Sequence, residues 1–126
     1  MKSFKTSPWV LPQPVFVIGT YNENGEANAM TAAWAGQWEA NQLTISLSAH
    51  ATTENIEKNN GEFTVAFATK ETAVAADFVG LVSAKNCPEK MAKTGWTIEK
   101  APSVNAPVFT DFPMTMECRM TQKIEN

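Results

Sequence analysis

Two stretches of the chain carry residue types that could bind a ligand. The first is Asn28–Gly36, which has almost no bulky side chain between Met30 and Trp34. Small side chains let another molecule approach the backbone closely, so this stretch could hold a flat ligand through its main-chain N–H and C=O groups. Tight packing against a neighbouring strand or helix explains the same composition about equally well.

The second stretch is the spaced series Ser46, Ser48, His50 and Thr52, which runs into a predicted helix over Thr53–Asn60. A helix N-terminus favours anions, because its first N–H groups are unpaired and the helix dipole is positive there. Taken alone, the series has a more common explanation: Thr52 is the N-cap of the helix, His50 is a solvated loop residue, and the two serines are the polar face of a strand. Together the two stretches suggest a ligand with a flat ring and a phosphate tail.

The sequence lacks the motifs of the common catalytic and metal sites. It contains one histidine and two isolated cysteines, Cys87 and Cys118, and no C-x-x-C, H-x-x-x-H or G-x-S-x-G pattern. A structural zinc site and a hydrolase triad therefore have little support, and no metal site is expected. If the chain is an enzyme, a bound cofactor is expected to carry the chemistry. Cys118 is predicted to be a buried, inert thiol, whereas Cys87 lies in a polar loop and could be exposed.

Length and charge limit the class of protein. A chain of 126 residues with 44% hydrophobic and 18% charged residues has a globular balance, and we expect residues 1–126 to form a single domain. The formal net charge of −3, with no basic block, argues against nucleic acid or an anionic membrane as partner. No apolar run is long enough for a membrane span or a signal peptide, which predicts a cytoplasmic protein.

Alternating and periodic patterns predict the elements that position the two stretches. Strands are predicted over Val15–Tyr21, Ala27–Ala35, Gln42–Ser48, Glu62–Ala68 and Met114–Thr121. Further short helices are predicted over Glu71–Val79 and Pro88–Lys93, ending at Gly80 and Gly95. Residues 1–14 are predicted to be an arm anchored by Trp9 and Leu11, Asn24-Gly25 a hairpin turn, and residues 101–113 a loop. The sum predicts a mainly β fold, a small antiparallel barrel decorated by short helices.

An ordered set of short motifs resembles the flavin reductase-like, flavoredoxin-type family. Each motif is weak, but their order and spacing from about residue 8 to residue 121 are specific. The matching segments are Pro14–Tyr21, Ala27–Trp34, Ser46–Ser48, His50–Ile56, Gly61–Val65, Ala76–Gly80, Val82-Ser83, Lys90, Thr94-Gly95, Ala106–Val108 and Glu117-Cys118.

The resemblance implies an FMN-binding split β-barrel of the Greek-key type, usually a homodimer with the flavin near the subunit interface. In the family, the segment that matches Asn28–Trp34 lies along the flavin, and the segment that matches Ser46–Thr52 helps to hold the ribityl chain and the phosphate. The implied chemistry is hydride transfer from NAD(P)H to the flavin and electron transfer to a small-molecule or protein acceptor, with no catalytic side chain. The implied cofactor-binding residues are Asn28, Ala29, Met30, Thr31, Ala32, Ala33, Trp34, Ser46, Ser48, His50 and Thr52.

The sequence departs from the family pattern in three places. His50 stands where arginine is common, and histidine is a shorter, partly charged phosphate partner, so lower FMN affinity is expected. The stretch Ser83–Asn86 lacks the usual glycine after its serine. Family members also continue with further barrel strands, so we expect this chain to be short at its C-terminus, either truncated or completed by a partner subunit.

Three alternative functions stay open from the sequence. The first is a non-enzymatic FMN-binding electron-transfer module, and the second is a flavin-free dimeric remnant of the fold. The third is an oxidase acting on pyridoxamine phosphate, which depends on basic phosphate contacts that the sequence does not reveal.

Overall fold

A computed structural model describes residues 1–48 and 50–125 of the chain. Within these residues there are eight strands and three short helices. The strands are β1 (Phe16–Tyr21), β2 (Ala27–Ala32), β3 (Ala35–Glu39), β4 (Gln42–Ile45), β5 (Glu62–Phe67), β6 (Ile98–Lys100), β7 (Pro107–Phe109) and β8 (Thr115–Arg119). The helices are α1 (Ala51–Lys58), α2 (Ala73–Leu81) and α3 (Lys90–Thr94), and they lie between β4 and β6 along the chain. The predicted mainly β class is confirmed, but the prediction of five strands missed β3, β6 and β7.

A four-stranded antiparallel sheet, with strand order β2-β1-β5-β8, forms the centre of the fold. β1 lies inside it because residues 16–20 are buried on both faces, as the apolar sequence predicted. The hairpins β3–β4 and β6–β7 form two separate small sheets. Within the described residues, β2 and β8 are the edges of the central sheet, and β2 pairs with β1 alone.

The predicted Asn-Gly turn between β1 and β2 is confirmed. The Asn22 side-chain Oδ1 accepts the backbone N–H groups of Asn24 and Glu26, both at 2.9 Å. Gly25 has a φ of 75°, which a residue without Cβ adopts without strain. This closed turn fixes the register in which Phe16 pairs with Ala32 and Tyr21 pairs with Ala27.

Each face of the central sheet has its own apolar core. One face packs against α2 and β7 through Val17, Ala29, Ala66, Ala76, Val79, Phe109 and Phe112. The other packs against α1 and the β3–β4 hairpin through Phe16, Ile18, Ala32, Ala35, Ile56 and Val65. Phe109 and Phe112 fall in the segment predicted as a loop from its prolines. That prediction is wrong for β7, where Pro107 starts the strand and its C=O accepts the Thr64 hydroxyl at 2.6 Å.

Two predictions are wrong: the end of α2 and the anchoring of the N-terminal arm. α2 continues through Gly80 to Leu81. This glycine allows close packing and does not end the helix, since a Cβ there would lie 3.1 Å from the Cβ of Thr31 on β2. The arm of residues 1–14 is not anchored, since Trp9 and Leu11 are 67% and 75% exposed. None of the described helices is long and apolar enough to cross a membrane.

Candidate functional site

The strand that was predicted over Ala27–Ala35 ends at Ala32. Ala33 and Trp34 form a bend, and the chain then leaves the central sheet as β3. The backbone N–H of Ser46 donates to the C=O of Trp34 at 2.7 Å, which extends the β3–β4 pairing and joins the two predicted ligand stretches. Trp34 is 53% exposed at this bend, and Ala33 is exposed beside it.

The side chains of β2 are committed to packing, so this strand can offer a ligand mainly its backbone. Ala29 packs in one core and Ala32 in the other. The Thr31 hydroxyl donates to the C=O of Ala76 at 2.6 Å, and Met30 is partly buried beside the second core. In an antiparallel edge strand, alternate residues direct their N–H and C=O groups away from the sheet. The structure therefore supports a row of main-chain donors and acceptors along β2.

A buried lysine reaches the outer edge of β2. Lys90, the first residue of α3, is 3% exposed, and its Nζ donates to the C=O of Ala29 at 2.6 Å. Burial lowers the pKa of this ammonium group to about 8. The sequence analysis did not assign Lys90 to the site, and its signal was only its place in the family motif before Thr94-Gly95. Gly95 ends α3 in the left-handed conformation, with a φ of 70°.

The first turn of α1 is held differently from the prediction. His50, not Thr52, is the N-cap: its backbone is extended, and its Nδ1 accepts the backbone N–H of Thr52 at 3.3 Å. Thr52 lies inside the first turn and is 2% exposed. The Thr53 hydroxyl donates to the C=O of Ser48 at 2.9 Å and ties the preceding loop to the helix. Ala49, within the predicted phosphate segment, lies outside the described residues.

Asn28 joins β2 to the first turn of α1 and carries a buried polar atom without a partner among the described residues. Its Nδ2 lies 3.5 Å from the Thr52 hydroxyl, which is a long hydrogen bond. The residue is 5% exposed, and its Oδ1 has no hydrogen-bond partner among the described residues. A buried carbonyl oxygen without a partner is costly. A ligand with an N–H or hydroxyl donor fits this position.

Two lysines and one carboxylate surround the N-terminus of α1. Burial, followed by the positive charge of Lys90, lowers the pKa of His50; Lys85 acts in the same direction, and Glu54 opposes it. Lys85 pairs with Glu54 across 3.3 Å. Neither lysine was predicted to lie near this helix. Because Lys85 is paired with Glu54, Lys90 is the charge that, together with the helix dipole, favours an anion here.

The remaining candidate residues are less closely involved. Ser46 and Ser48 are exposed, and the contacts described for them are made by their backbone. Cys87 is partly exposed, with the Nζ of Lys93 at 3.6 Å from its Sγ. Cys118 is half-buried on β8, where burial raises the pKa of its thiol. A cavity of about 680 Å³ between α2 and α3 contains none of the predicted site residues.

The chain belongs to the family of flavin reductase like domains, whose model matches residues 10–126. The structure is similar to that of flavoredoxin from Desulfovibrio vulgaris (Miyazaki F), with 31% identity and a TM-score of 0.91 over 99% of this chain and 69% of that chain. It is similar to flavoredoxin from Methanosarcina acetivorans, with 26% identity and a TM-score of 0.82 over 100% and 68% of the two chains. The predicted family and its split-barrel fold are thereby confirmed.

A more distant match shows the same fold. It is the FMN-binding domain of a flavin reductases-like enzyme from Shewanella baltica OS155, with 20% identity and a TM-score of 0.79, covering 88% of this chain and 59% of that one. No curated protein matched the sequence.

Proposed function

We propose that the chain binds FMN and is an oxidoreductase of the flavin reductase or flavoredoxin type, which takes electrons from NAD(P)H and passes them to a small-molecule or protein acceptor. The observation that carries the proposal is the meeting of three features at the neighbouring residues Asn28 and Ala29. These are the edge of β2 that no other strand among the described residues pairs with, the first turn of α1, which Asn28 contacts, and the buried ammonium group of Lys90, which binds Ala29. Membership of the family supports the same function.

The residues present fit a flat ring with a phosphate ester. Because Lys90 already binds the C=O of Ala29, the main-chain groups that β2 can offer a ring lie beyond this residue, toward Ala32 and the bend at Ala33. The Oδ1 of Asn28, unpartnered among the described residues, can accept one ligand hydrogen. His50 and Thr52 begin the helix whose N–H groups favour a phosphate. When bound, FMN would supply the two-electron redox chemistry.

The protein's own residues bind and orient the cofactor. The charge of Lys90 favours negative charge on whatever occupies the β2 edge, and the exposed Trp34 is available to shield it from water. Ala29 and Ala32 contribute by keeping β2 in place, because their side chains are buried in the two cores. No step of the proposed function needs a proton from a side chain.

Flavin titration tests the proposal. The visible spectrum of the purified chain is recorded first, and the chain is then titrated with FMN and with riboflavin, which lacks the phosphate. We expect FMN to bind more tightly than riboflavin. A folded chain, shown by circular dichroism, that binds neither flavin would refute the proposal.

Reduction of the FMN complex separates an enzyme from an electron-transfer module. Under anaerobic conditions, NADH or NADPH should bleach the flavin absorbance. A complex that is bleached by dithionite but by neither nucleotide would support the non-enzymatic electron-transfer module instead.

We also propose that the chain acts as a homodimer. Large apolar side chains are exposed near the candidate site and on the sheet edge, among them Trp34, Trp38, Met114 and Met120. Exposed apolar side chains of this size are candidates for burial against a second copy of the chain. Light scattering across a dilution series tests the assembly, and a monomer that binds FMN at full occupancy would contradict it.

A further inference from the structure

The N-cap of α1 is a titratable ring whose capping bond requires one protonation state. His50 Nδ1 accepts the N–H of Thr52 at 3.3 Å, so Nδ1 carries no proton. A ring that accepts at Nδ1 is neutral and has its proton on Nε2. Protonation of Nδ1 would therefore break the capping bond and free the Thr52 N–H group.

The charged groups around His50 favour the neutral ring in the free protein. Lys90, from α3, and Lys85, from the loop before it, both disfavour a second positive charge, and burial acts in the same direction. Glu54, in the first turn of α1, is the opposing group and is itself paired with Lys85. Together these effects hold the pKa of His50 below its usual value.

A phosphate at the same helix terminus would reverse this preference. One of its oxygens can take the Thr52 N–H group in place of the ring, and its negative charge favours an imidazolium nearby. The buried Oδ1 of Asn28, which has no partner among the described residues, independently indicates that a ligand completes this end of the helix. Asn28 reaches the first turn through Thr52, at 3.5 Å.

We infer that His50 couples phosphate binding to the uptake of a proton: the neutral ring caps α1 in the free protein, and the protonated ring pairs with the FMN phosphate in the complex. The proton comes from solvent. The inference rests on the proposed function, because it takes FMN as the ligand. It makes phosphate recognition by this chain stronger as the pH falls.

The sequence permits a direct test, because His50 is its one histidine. A sample without a histidine tag gives a single imidazole Cε1–H resonance in proton NMR. Its pH titration is followed in the free chain, with FMN and with riboflavin, while phosphorus NMR follows the phosphate of bound FMN. We expect the midpoint of the His50 titration to move upward with FMN and to stay unchanged with riboflavin.

His50→Asn is the matched control, because asparagine also caps helices but does not titrate. As the pH falls from 8 to 5.5, the ratio of FMN affinity to riboflavin affinity should rise about fivefold more in the wild type than in the variant. This is the size of effect expected when one positive charge is added beside a partly exposed anion. This comparison removes the titration of the phosphate itself, which is common to both proteins.

The outcomes separate this inference from the proposed function. If FMN binds more tightly than riboflavin but leaves the His50 midpoint unchanged, the inference is wrong and the proposed function stands. An equal upward movement with riboflavin also overturns it, because the phosphate is then not the cause. If neither flavin binds, the proposed function fails and the inference fails with it.

Discussion

Replacement of Lys90 by methionine should stabilise the free protein and weaken flavin binding. The ammonium group is buried at the edge of β2, where it donates to the C=O of Ala29. Methionine has a similar apolar stem and no charge, so Lys90→Met removes both the cost of burying the ammonium group and its hydrogen bond. The two effects oppose each other, and their sizes decide the sign.

The cost of the buried charge follows from the pKa of Lys90. The difference between the ordinary value of 10.5 and about 8 corresponds to about 3 kcal/mol at about 1.36 kcal/mol per pKa unit. Loss of the hydrogen bond at Ala29 costs about 1 to 2 kcal/mol. At pH 7 the variant should therefore have a free energy of unfolding about 1 to 2 kcal/mol above that of the wild type.

The pH dependence gives the sharper measurement. Below pH 8, Lys90 is charged in both the folded and the unfolded chain, and the full cost of burial is present. Between pH 8 and pH 10.5 the folded chain loses this proton first, so the wild type gains stability as the pH rises. Above pH 10.5 the lysine is neutral in both states and the cost disappears.

Urea unfolding of the wild type and Lys90→Met at pH 7 and pH 10 measures this change. From pH 7 to pH 10, the free energy of unfolding of the wild type should increase relative to that of Lys90→Met by most of about 3 kcal/mol. The other titrating groups are common to both proteins, so their contributions cancel in the comparison. Lys93→Met is the control, because Lys93 lies on the same helix but is exposed, and its pKa is raised by its hydrogen bond to Glu89. Parallel pH profiles for the wild type and Lys90→Met would refute the reasoning.

Three further predictions follow from the packing and the cap. Ala33→Phe should weaken FMN binding in titrations with little change in urea unfolding, because Ala33 is exposed. Ala32→Phe should lower the free energy of unfolding by about 1 to 3 kcal/mol, because Ala32 is buried in a core. Equal effects of the two substitutions on the free energy of unfolding would contradict this. Gly19→Ala should destabilise the fold, since its Cβ would lie 2.5 Å from the Thr64 hydroxyl oxygen. Gly36→Ala should be tolerated, because nothing lies within 4 Å of a Cβ there. Thermal unfolding compares the two variants, and similar midpoints would count against the close packing at Gly19. His50→Arg should tighten FMN binding through its permanent charge while lowering the free energy of unfolding by about 1 kcal/mol through the lost cap; an unchanged free energy would show that the cap contributes little.

Local signals explain what the sequence predicted correctly. The buried strand β1 and the Asn-Gly turn after it depend on residues close together in the chain, and both were found. The two candidate ligand stretches were proposed from their side-chain sizes and spacing, and their role in binding stays a prediction. Their meeting through Asn28 and Thr52 could not be read from the sequence, because that contact depends on how α1 packs beside β2.

Three features were not predicted correctly, and each has a physical reason: the role of Lys90, the N-cap of α1 and the strand within residues 101–113. Lys90 bonds a residue 61 positions away, and lysine is rarely buried, so neither pattern nor composition indicated its role. Histidine is not among the preferred N-cap residues, so Thr52 was the expected cap. The prolines of residues 101–113 suggested a loop because proline cannot donate to a ladder, yet Pro107 needs only its C=O to bond Thr64.

Three residues of the candidate site break general rules of folding. Lys90 buries a charge, His50 caps a helix with a titratable ring, and Asn28 buries a carbonyl oxygen without a partner among the described residues. Each of these features has a cost in the free chain, and all three lie around the first turn of α1 and the edge of β2. A ligand that carries a hydrogen-bond donor and an anionic group would reduce all three costs at once. This shared remedy argues that the site is built for a bound molecule, because packing alone gives no reason for the three costs to occur together.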